Sequence, residues 1–437
     1  MSEPCLLRSI CTALRIMSLQ GSVLVVADQS AAAIVEALRA AGAFPVIETK
    51  WADAPTAFVS VKPSAIVIAE PGAPASETSC RMLALQVATS QGAVVPIVAM
   101  ADAAREAAIP TALTADLDAP LEILIGRLQS ALRVRALHST VLRRIETFAA
   151  QGGTMPELPI GDPLDDATVL VAGRGPLYPA LGVAMGEQAK MVGALSVEAA
   201  ARHLEERDID GIIVGDGFSP RMIEAFLALL GQEARFHEIP VAVMGDIPQG
   251  YEGGLPNLDS IRQTPERLVS RMVPLIRLHA LQSRLKRMLH ALDTDGMFDP
   301  HTGLMTPEAF WRELNKAVAE AADRSHALTL ARFSFDGAHE RRCHVDGARL
   351  ASKLMRNIDF ACNDDDGALL AAFTQTDLRS GHVVARRVAA AVKHVMRAPT
   401  NPNHRITANI TLSTFKNGDT LQSLIQRVMD SPLVAAE

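Results

Sequence analysis

Aromatic residues are scarce in this chain: Phe, Trp and Tyr make up 4% of 437 residues, with two Trp and two Tyr. Hydrophobic residues still reach 49%, so the apolar mass is Ala and aliphatic. That composition suits Ala-rich helices packed on aliphatic strands and argues against an all-β or disordered chain. Cysteine is also sparse. Cys5, Cys11, Cys80, Cys343 and Cys362 form no C-x-x-C pair and are odd in number, which reads as reduced thiols in a cytoplasmic protein. No apolar run approaches the roughly 18 residues of a membrane span, so no membrane insertion is expected. The first 16 residues carry Arg8 and Arg15 but no signal-peptide core, and Met17 is an alternative start. No long basic run interrupts a net charge of −7, which argues against nucleic acid as a partner.

What is present is repetition. Val23-Leu24-Val25-Val26 recurs as Val169-Leu170-Val171-Ala172, and Ser64-Ala65-Ile66-Val67-Ile68 as Asp210-Gly211-Ile212-Ile213-Val214. Val95-Pro96-Ile97-Val98-Ala99-Met100 recurs as Ile239-Pro240-Val241-Ala242-Val243-Met244, each time after about 145 residues. Short apolar runs alternating with amphipathic helices predict buried parallel strands in doubly wound sheets. The length allows two to four domains. The expected division is an extension over 1–20, one repeat over 21–150, a second over 165–292, and a third domain over 295–437. Gln151-Gly152-Gly153 and Asp162-Pro163 mark the first linker. Leu275, Leu278, Leu281, Leu285, Met288 and Leu292 form one helical stripe, leading to the third domain. Arg277, Arg284, Lys286 and Arg287 lie off that stripe and read as a solvated basic face.

The order and lengths of the repeats resemble response-regulator receiver domains. The resemblance implies an acidic pair on strand one for Mg²⁺, a phosphoacceptor Asp after strand three, then a Thr/Ser and a Lys. In the first repeat these positions hold Ala27-Asp28, Ala69 followed by Glu70, Ala101 and Ala119. In the second they hold Gly173-Arg174, Gly215 followed by Asp216, Gly245 and Thr264. Both are therefore expected to be pseudo-receivers that dock protein partners, with Asp216 an acceptor only in a shifted register.

The last third of the chain carries a run of motifs in order. Asp299-Pro300-His301-Thr302-Gly303-Leu304, Phe310, Phe333-Ser334-Phe335-Asp336, Arg356-Asn357-Ile358-Asp359, Val384-Ala385-Arg386-Arg387-Val388 and Ile406–Thr411 follow one another. Together they resemble the GGDEF (diguanylate cyclase) family, and the whole layout resembles its PleD-type response regulators. The expected fold is thus two receiver-like, flavodoxin-like doubly wound domains followed by an α+β cyclase-palm domain.

The same resemblance implies lost catalysis. The family signature G-G-D/E-E-F is replaced by Asp365-Asp366-Gly367-Ala368-Leu369, and its two metal carboxylates fall on Ser334 and Gly367. The segment from Asp336 to Arg356 is about ten residues short of the family's guanine-binding loop, and Glu437 stands where the family holds a phosphate-binding Lys. Asp364-Asp365-Asp366 reads as a solvated turn with Gly367 at positive φ, not a metal site, and no cofactor is expected. By contrast, Arg356, Asp359 and Arg387 fall on the family's inhibitory site for cyclic di-GMP. R-x-x-D alone is weak, since it also occurs at Arg207 and Arg427. An Arg can fork onto guanine O6/N7, and an Asp can accept from the guanine N–H edge. At spacing i, i+3 both side chains leave one helical face. The resemblance implies a non-enzymatic cyclic di-GMP effector, a homodimer, recruiting proteins to a polar protease machinery during the cell cycle. A ligand-independent scaffold and a residual GTP-binding cyclase are the competing readings.

Overall fold

Val23–Val26 is aliphatic at every position, which a strand tolerates when both faces are covered. The computed structural model describes residues 19–437 except 71–76, 101–108, 110, 117–119, 153–160, 187, 252, 263, 294–295, 337–340, 365, 399–400, 431–433 and 436–437. In it, this segment is the centre of β1 (Gln20–Val26). The first unit continues through α1 (Ala32–Ala40), β2 (Phe44–Thr49), α2 (Ala54–Val61), β3 (Ala65–Ile68), α3 (Glu77–Thr89), β4 (Ile97–Met100), β5 (Leu113–Ala115) and α4 (Leu121–Ala150). Its strands pair in parallel in the order β2-β1-β3-β4-β5. That is the flavodoxin-like order 2-1-3-4-5.

The second repeat takes the same path. It runs β6 (Thr168–Ala172), α5 (Leu177–Met185), β7 (Lys190–Ala194), α6 (Val197–Glu206), β8 (Gly211–Val214), α7 (Pro220–Gln232), β9 (Val241–Met244), β10 (Leu258–Ile261) and α8 (Pro265–Asp293). The parallel sheet is ordered β10-β9-β8-β6-β7. Helix starts are written locally: Ser196 and Ser219 accept from Ala199 N and Met222 N, and Pro220 opens α7.

The third unit begins with α9 (Pro307–Arg324) and β11 (Leu328–Asp336), then α10 (Arg341–Leu354), β12 (Phe360–Asn363), β13 (Leu369–Thr374) and α11 (Leu378–Val395). A short hairpin of β14 (Arg397–Ala398) and β15 (Asn401–Arg405) precedes β16 (Thr407–Thr414), α12 (Leu421–Asp430) and β17 (Val434–Ala435). Its main sheet is antiparallel, ordered β12-β13-β11-β16-β17, with Phe333 of central β11 between Leu369 and Ile410. The architecture is two parallel α/β units followed by an α+β unit.

The long helices α4 and α8 join these units. Arg271 near the start of α8 pairs with Asp116 just before α4, and Arg144 pairs with Asp293 at their far ends, so the helices run the same way. Their leading halves share one core with both parallel sheets, through Leu124, Leu128, Leu268 and Met272. Their trailing halves, through Val141, Ile145, Leu285 and Leu289, pack with Phe310 and Leu314 of the third unit. The stripe expected along α8 thus faces apolar neighbours. The expected solvated basic face does not hold as a whole. Arg277 forks onto Asp162 at 3.0 and 2.9 Å, and buried Arg284 donates to Gly161 O and Asp166. These arginines tie Gly161, Asp162 and Asp166 to α8.

Charged side chains are buried where α4 meets the third unit. Glu313 on α9 is fully enclosed and accepts from Arg143 Nε at 3.2 Å and Thr147 Oγ1 at 3.1 Å, with Arg144 Nε at 3.6 Å. Arg143 also reaches Glu320, which accepts from Ser139. The first unit adds Lys62 against Asp323, and Ser64 Oγ at 2.7 Å from His326 Nε2. Burial, then the charges of Arg135 and Arg324, push the His326 pKa down to about 4.

Glu313→Ala leaves Arg143 and Arg144 buried without their shared acceptor. A loss of about 3–5 kcal/mol is expected in urea unfolding, since removing one partner of a buried pair strands the other; a change under 1 kcal/mol contradicts this seam. The depressed His326 pKa has a defined sign. Its unfolded imidazole takes up a proton below about 6.5 while the folded one stays neutral until about 4, so stability falls as pH falls through that window. Between pH 7 and pH 5 this one group should cost about 2 kcal/mol, and His326→Asn should flatten the pH slope by that amount.

Candidate functional site

Helix α10 ends at Leu354. The next residues close a tight turn, with Asp359 N donating to Arg356 O at 2.9 Å. The pair therefore lies on a turn and not on a helical face as expected, because i, i+3 spacing closes a β-turn as readily as a helix. Asp359 is fully enclosed. One of its oxygens accepts from Arg356 Nε at 3.0 Å and Arg356 N at 3.3 Å. The other accepts from Arg356 Nη2 at 3.0 Å and Thr374 N at 3.2 Å. Four donors fill the sites a carboxylate offers. In this arrangement Asp359 orients Arg356.

Arg356 is held further from behind. Its Nη2 donates to Thr374 O at 3.1 Å and to Thr376 Oγ1 at 2.6 Å. Nη1 makes no hydrogen bond among the described contacts. The side chain remains 20% exposed, toward a cavity that Arg356, Asn357 and Ile358 line. The cavity measures about 410 Å³, within the range of about 300–1,000 Å³ typical of small-molecule sites. Gln129, Arg133 and Leu137 of α4 form one wall, Gln282 and Lys286 of α8 another, and His237, Glu238 and Pro256 of the second unit a third. Burial works to raise the Glu238 carboxyl, but Arg133, Gln282 and Lys286 outweigh it and hold it below the ordinary range. It pairs with Arg133 at 2.8 Å. Three cationic side chains therefore face one ionised carboxylate.

The sequence named Arg356 and Asp359 together and the structure joins them. Arg387 sits half-buried on α11, which packs against α10, and does not line this cavity. Arg133 and Lys286 were not named as site residues. They belong to other units, and the signal available for Lys286 was only its place off an apolar stripe. The other two R-x-x-D runs are built differently: Asp210 meets His279 Nδ1 at 3.0 Å, and Arg427 pairs with Asp419 at 2.5 Å.

The signature hairpin between β12 and β13 is closed by carboxylates. Asp364 Oδ1 accepts from Asp366 N at 3.1 Å and Ala368 N at 2.7 Å, and Gly367 takes φ of +79°. The positive φ is as expected, but the turn is not simply solvated. Arg332 of β11 pairs with Asp364 at 2.9 Å and Asp366 at 3.2 Å. Ser334 lies on β11 opposite Asn409. Asp365, Glu437 and the segment 337–340 lie outside the described residues, as do Ala101 and Ala119.

In the first unit Glu70 occupies the end of the sheet, its carboxylate accepting from Asp28 N and Gln29 N, both at 2.6 Å. In the second, a Cβ on Gly215 would fall 2.2 Å from Leu177 Cδ2, so that leucine fills the place of a side chain there. Asp216 is exposed, and its carbonyl accepts from Arg174 N at 2.8 Å.

No protein-family model and no curated protein matches the chain. Among solved structures, it is similar to the coiled coil and GGDEF domain of DgcB from Caulobacter crescentus in complex with c-di-GMP. That likeness has 21% identity, covers 34% of this chain and 84% of that one, and has a TM-score of 0.29. It is also similar to diguanylate cyclase SiaD with its activator SiaC from Pseudomonas aeruginosa (20% identity, 34% and 61% coverage, TM-score 0.30). The FimX GGDEF domain of the same organism matches at 18% identity, with 30% and 89% coverage and a TM-score of 0.28.

Asp359→Ala removes the fork that holds a largely buried guanidinium. Chemical denaturation should show a loss of about 3–5 kcal/mol; a loss under 1 kcal/mol would mean that Arg356 is positioned by something else.

Proposed function

We propose that this chain is a non-catalytic cyclic di-GMP effector that binds the dinucleotide at Arg356 and recruits protein partners through its two receiver-like units. The observation that carries the reading is the anchored Arg356. Its fork is fixed by buried Asp359, and its remaining edge lies at a cationic cavity of about 410 Å³. Nη1, the nitrogen not engaged by those bonds, can donate to a guanine O6 or N7 acceptor. Arg133 and Lys286 supply positive charge for the phosphodiesters. Arg387, on the neighbouring helix, is the third ligand residue that the family resemblance implies.

The same chain lacks what cyclase chemistry needs. Condensing two GTP molecules calls for a metal held by carboxylates, and Ser334 and Gly367 stand at those two positions. Asp364 and Asp366 are engaged by Arg332. Ala69 and Gly215 likewise stand where receivers carry the phosphoacceptor. In combining a PleD-like layout, a degenerate signature and a retained inhibitory-type pair, the chain most resembles the effector PopA. That resemblance underlies the proposed homodimer, polar localisation and adaptor role in regulated proteolysis.

Calorimetry with cyclic di-GMP should give saturable binding that Arg356→Ala weakens by about 30-fold or more, since a desolvated charged contact is worth about 2–5 kcal/mol. Asp366→Ala should leave it nearly intact. Loss of binding in Asp366→Ala with binding kept in Arg356→Ala would move the ligand to the hairpin and overturn the proposal. Incubation with GTP and Mg²⁺ or Mn²⁺ should yield no cyclic di-GMP by chromatography; turnover above a denatured control contradicts the non-catalytic reading. Acetyl phosphate should add no phosphoryl mass to either receiver-like unit, and a phospho-Asp at Asp216 would show that the shifted register is the working one.

A further inference from the structure

The turn Thr374-Gln375-Thr376 leads from β13 into α11, and Gln375 holds φ of +48°, a left-handed conformation disfavoured for residues with a Cβ. Bonds from the site fix that turn on one side. Arg356 Nη2 reaches Thr374 O at 3.1 Å and Thr376 Oγ1 at 2.6 Å, and Asp359 accepts from Thr374 N at 3.2 Å. On the other side, Thr374 and Gln375 line a cavity of about 20 Å³ together with Arg143, Glu320 and His326, room for about one water. His326 in turn meets Ser64 of the first unit at 2.7 Å, and Glu320 holds Arg143 and Ser139 of α4. The turn thus touches the ligand-orienting pair on one face and the contact between the first and third units on the other.

We propose that Thr376 is a positioning residue for Arg356, and that its turn transmits occupancy of the Arg356 site to the contact between Ser64 and His326. This rests on the reading that Arg356 meets cyclic di-GMP. Thr376 Oγ1 also donates to Thr374 O at 2.9 Å, so the hydroxyl bridges guanidinium and turn. A ligand taken on the Nη1 edge leaves Nε and Nη2 on Asp359 and Thr376. The guanidinium is then held from both sides, and the strained turn loses freedom. Less motion in the turn means less opening of the packed His326 and Glu320 behind it.

The test uses the full chain with cyclic di-GMP as probe, and reads affinity by calorimetry alongside amide hydrogen exchange over 322–328 and 62–66. Binding should increase protection of both segments at least several-fold. Thr376→Val keeps the shape but removes the hydroxyl; it should weaken binding by about 10-fold and abolish the added protection. Thr376→Ser should restore both, which a mere packing role would not do. If unaltered protein binds with no change in exchange, the coupling is overturned while the ligand reading stands. If Thr376→Val binds and protects like the unaltered chain, the positioning role is overturned. If the unaltered chain does not bind, the ligand reading falls and this inference with it.

Discussion

A fully buried carboxylate, Glu313, faced by Arg143 and Arg144, is the constraint on which the rest of the structure depends. Enclosing one carboxylate and two guanidiniums is costly unless their hydrogen bonds are met. Thr147 and Arg143 donate to Glu313, so the third unit is fixed against α4 in one register, while Arg144 reaches Asp293 at the end of α8. Burial still holds Arg144 below the ordinary guanidinium range and Asp293 above the ordinary carboxylate range. Such a seam fixes where α9 sits and so places the turn at Arg356 against α4 and α8. Without that placement, Arg133 and Lys286 would not share a cavity with Arg356.

Much of the fold was readable from the chain. Aliphatic runs such as Val23–Val26 and Val169–Ala172 can be covered on both faces only in a parallel sheet, and their repetition gave two copies of one topology. Gly367 at positive φ was equally legible, because a hairpin closed over one glycine needs it there. The stripe from Leu275 to Leu292 was read correctly as apolar. Lys286 and Arg287 beside it are exposed as expected, but the partners of Arg277 and Arg284 at Gly161, Asp162 and Asp166 lie more than 100 residues away and were not legible.

The site was legible in part for the same reason. Local spacing named Arg356 and Asp359, which bond to each other. Their surroundings were not local: Thr374 N takes a lone-pair site on Asp359 from across the sheet and helps hold it as an anchor for Arg356. Arg133 and Lys286 reach the cavity from helices whose sequences announce only amphipathicity. Long-range pairing decides such roles, and periodicity carries no record of it.

The central claim is that an anchored Arg356 presents its free edge to a cyclic dinucleotide. An experimental structure of the full chain grown with cyclic di-GMP tests this most directly. The account predicts a guanine edge on Arg356 within the cavity bounded by Arg133 and Lys286, with Asp359 and Thr376 still holding the guanidinium. Ligand seated at the Asp364–Gly367 hairpin, or Arg356 released from Asp359 to reach it, would contradict the account.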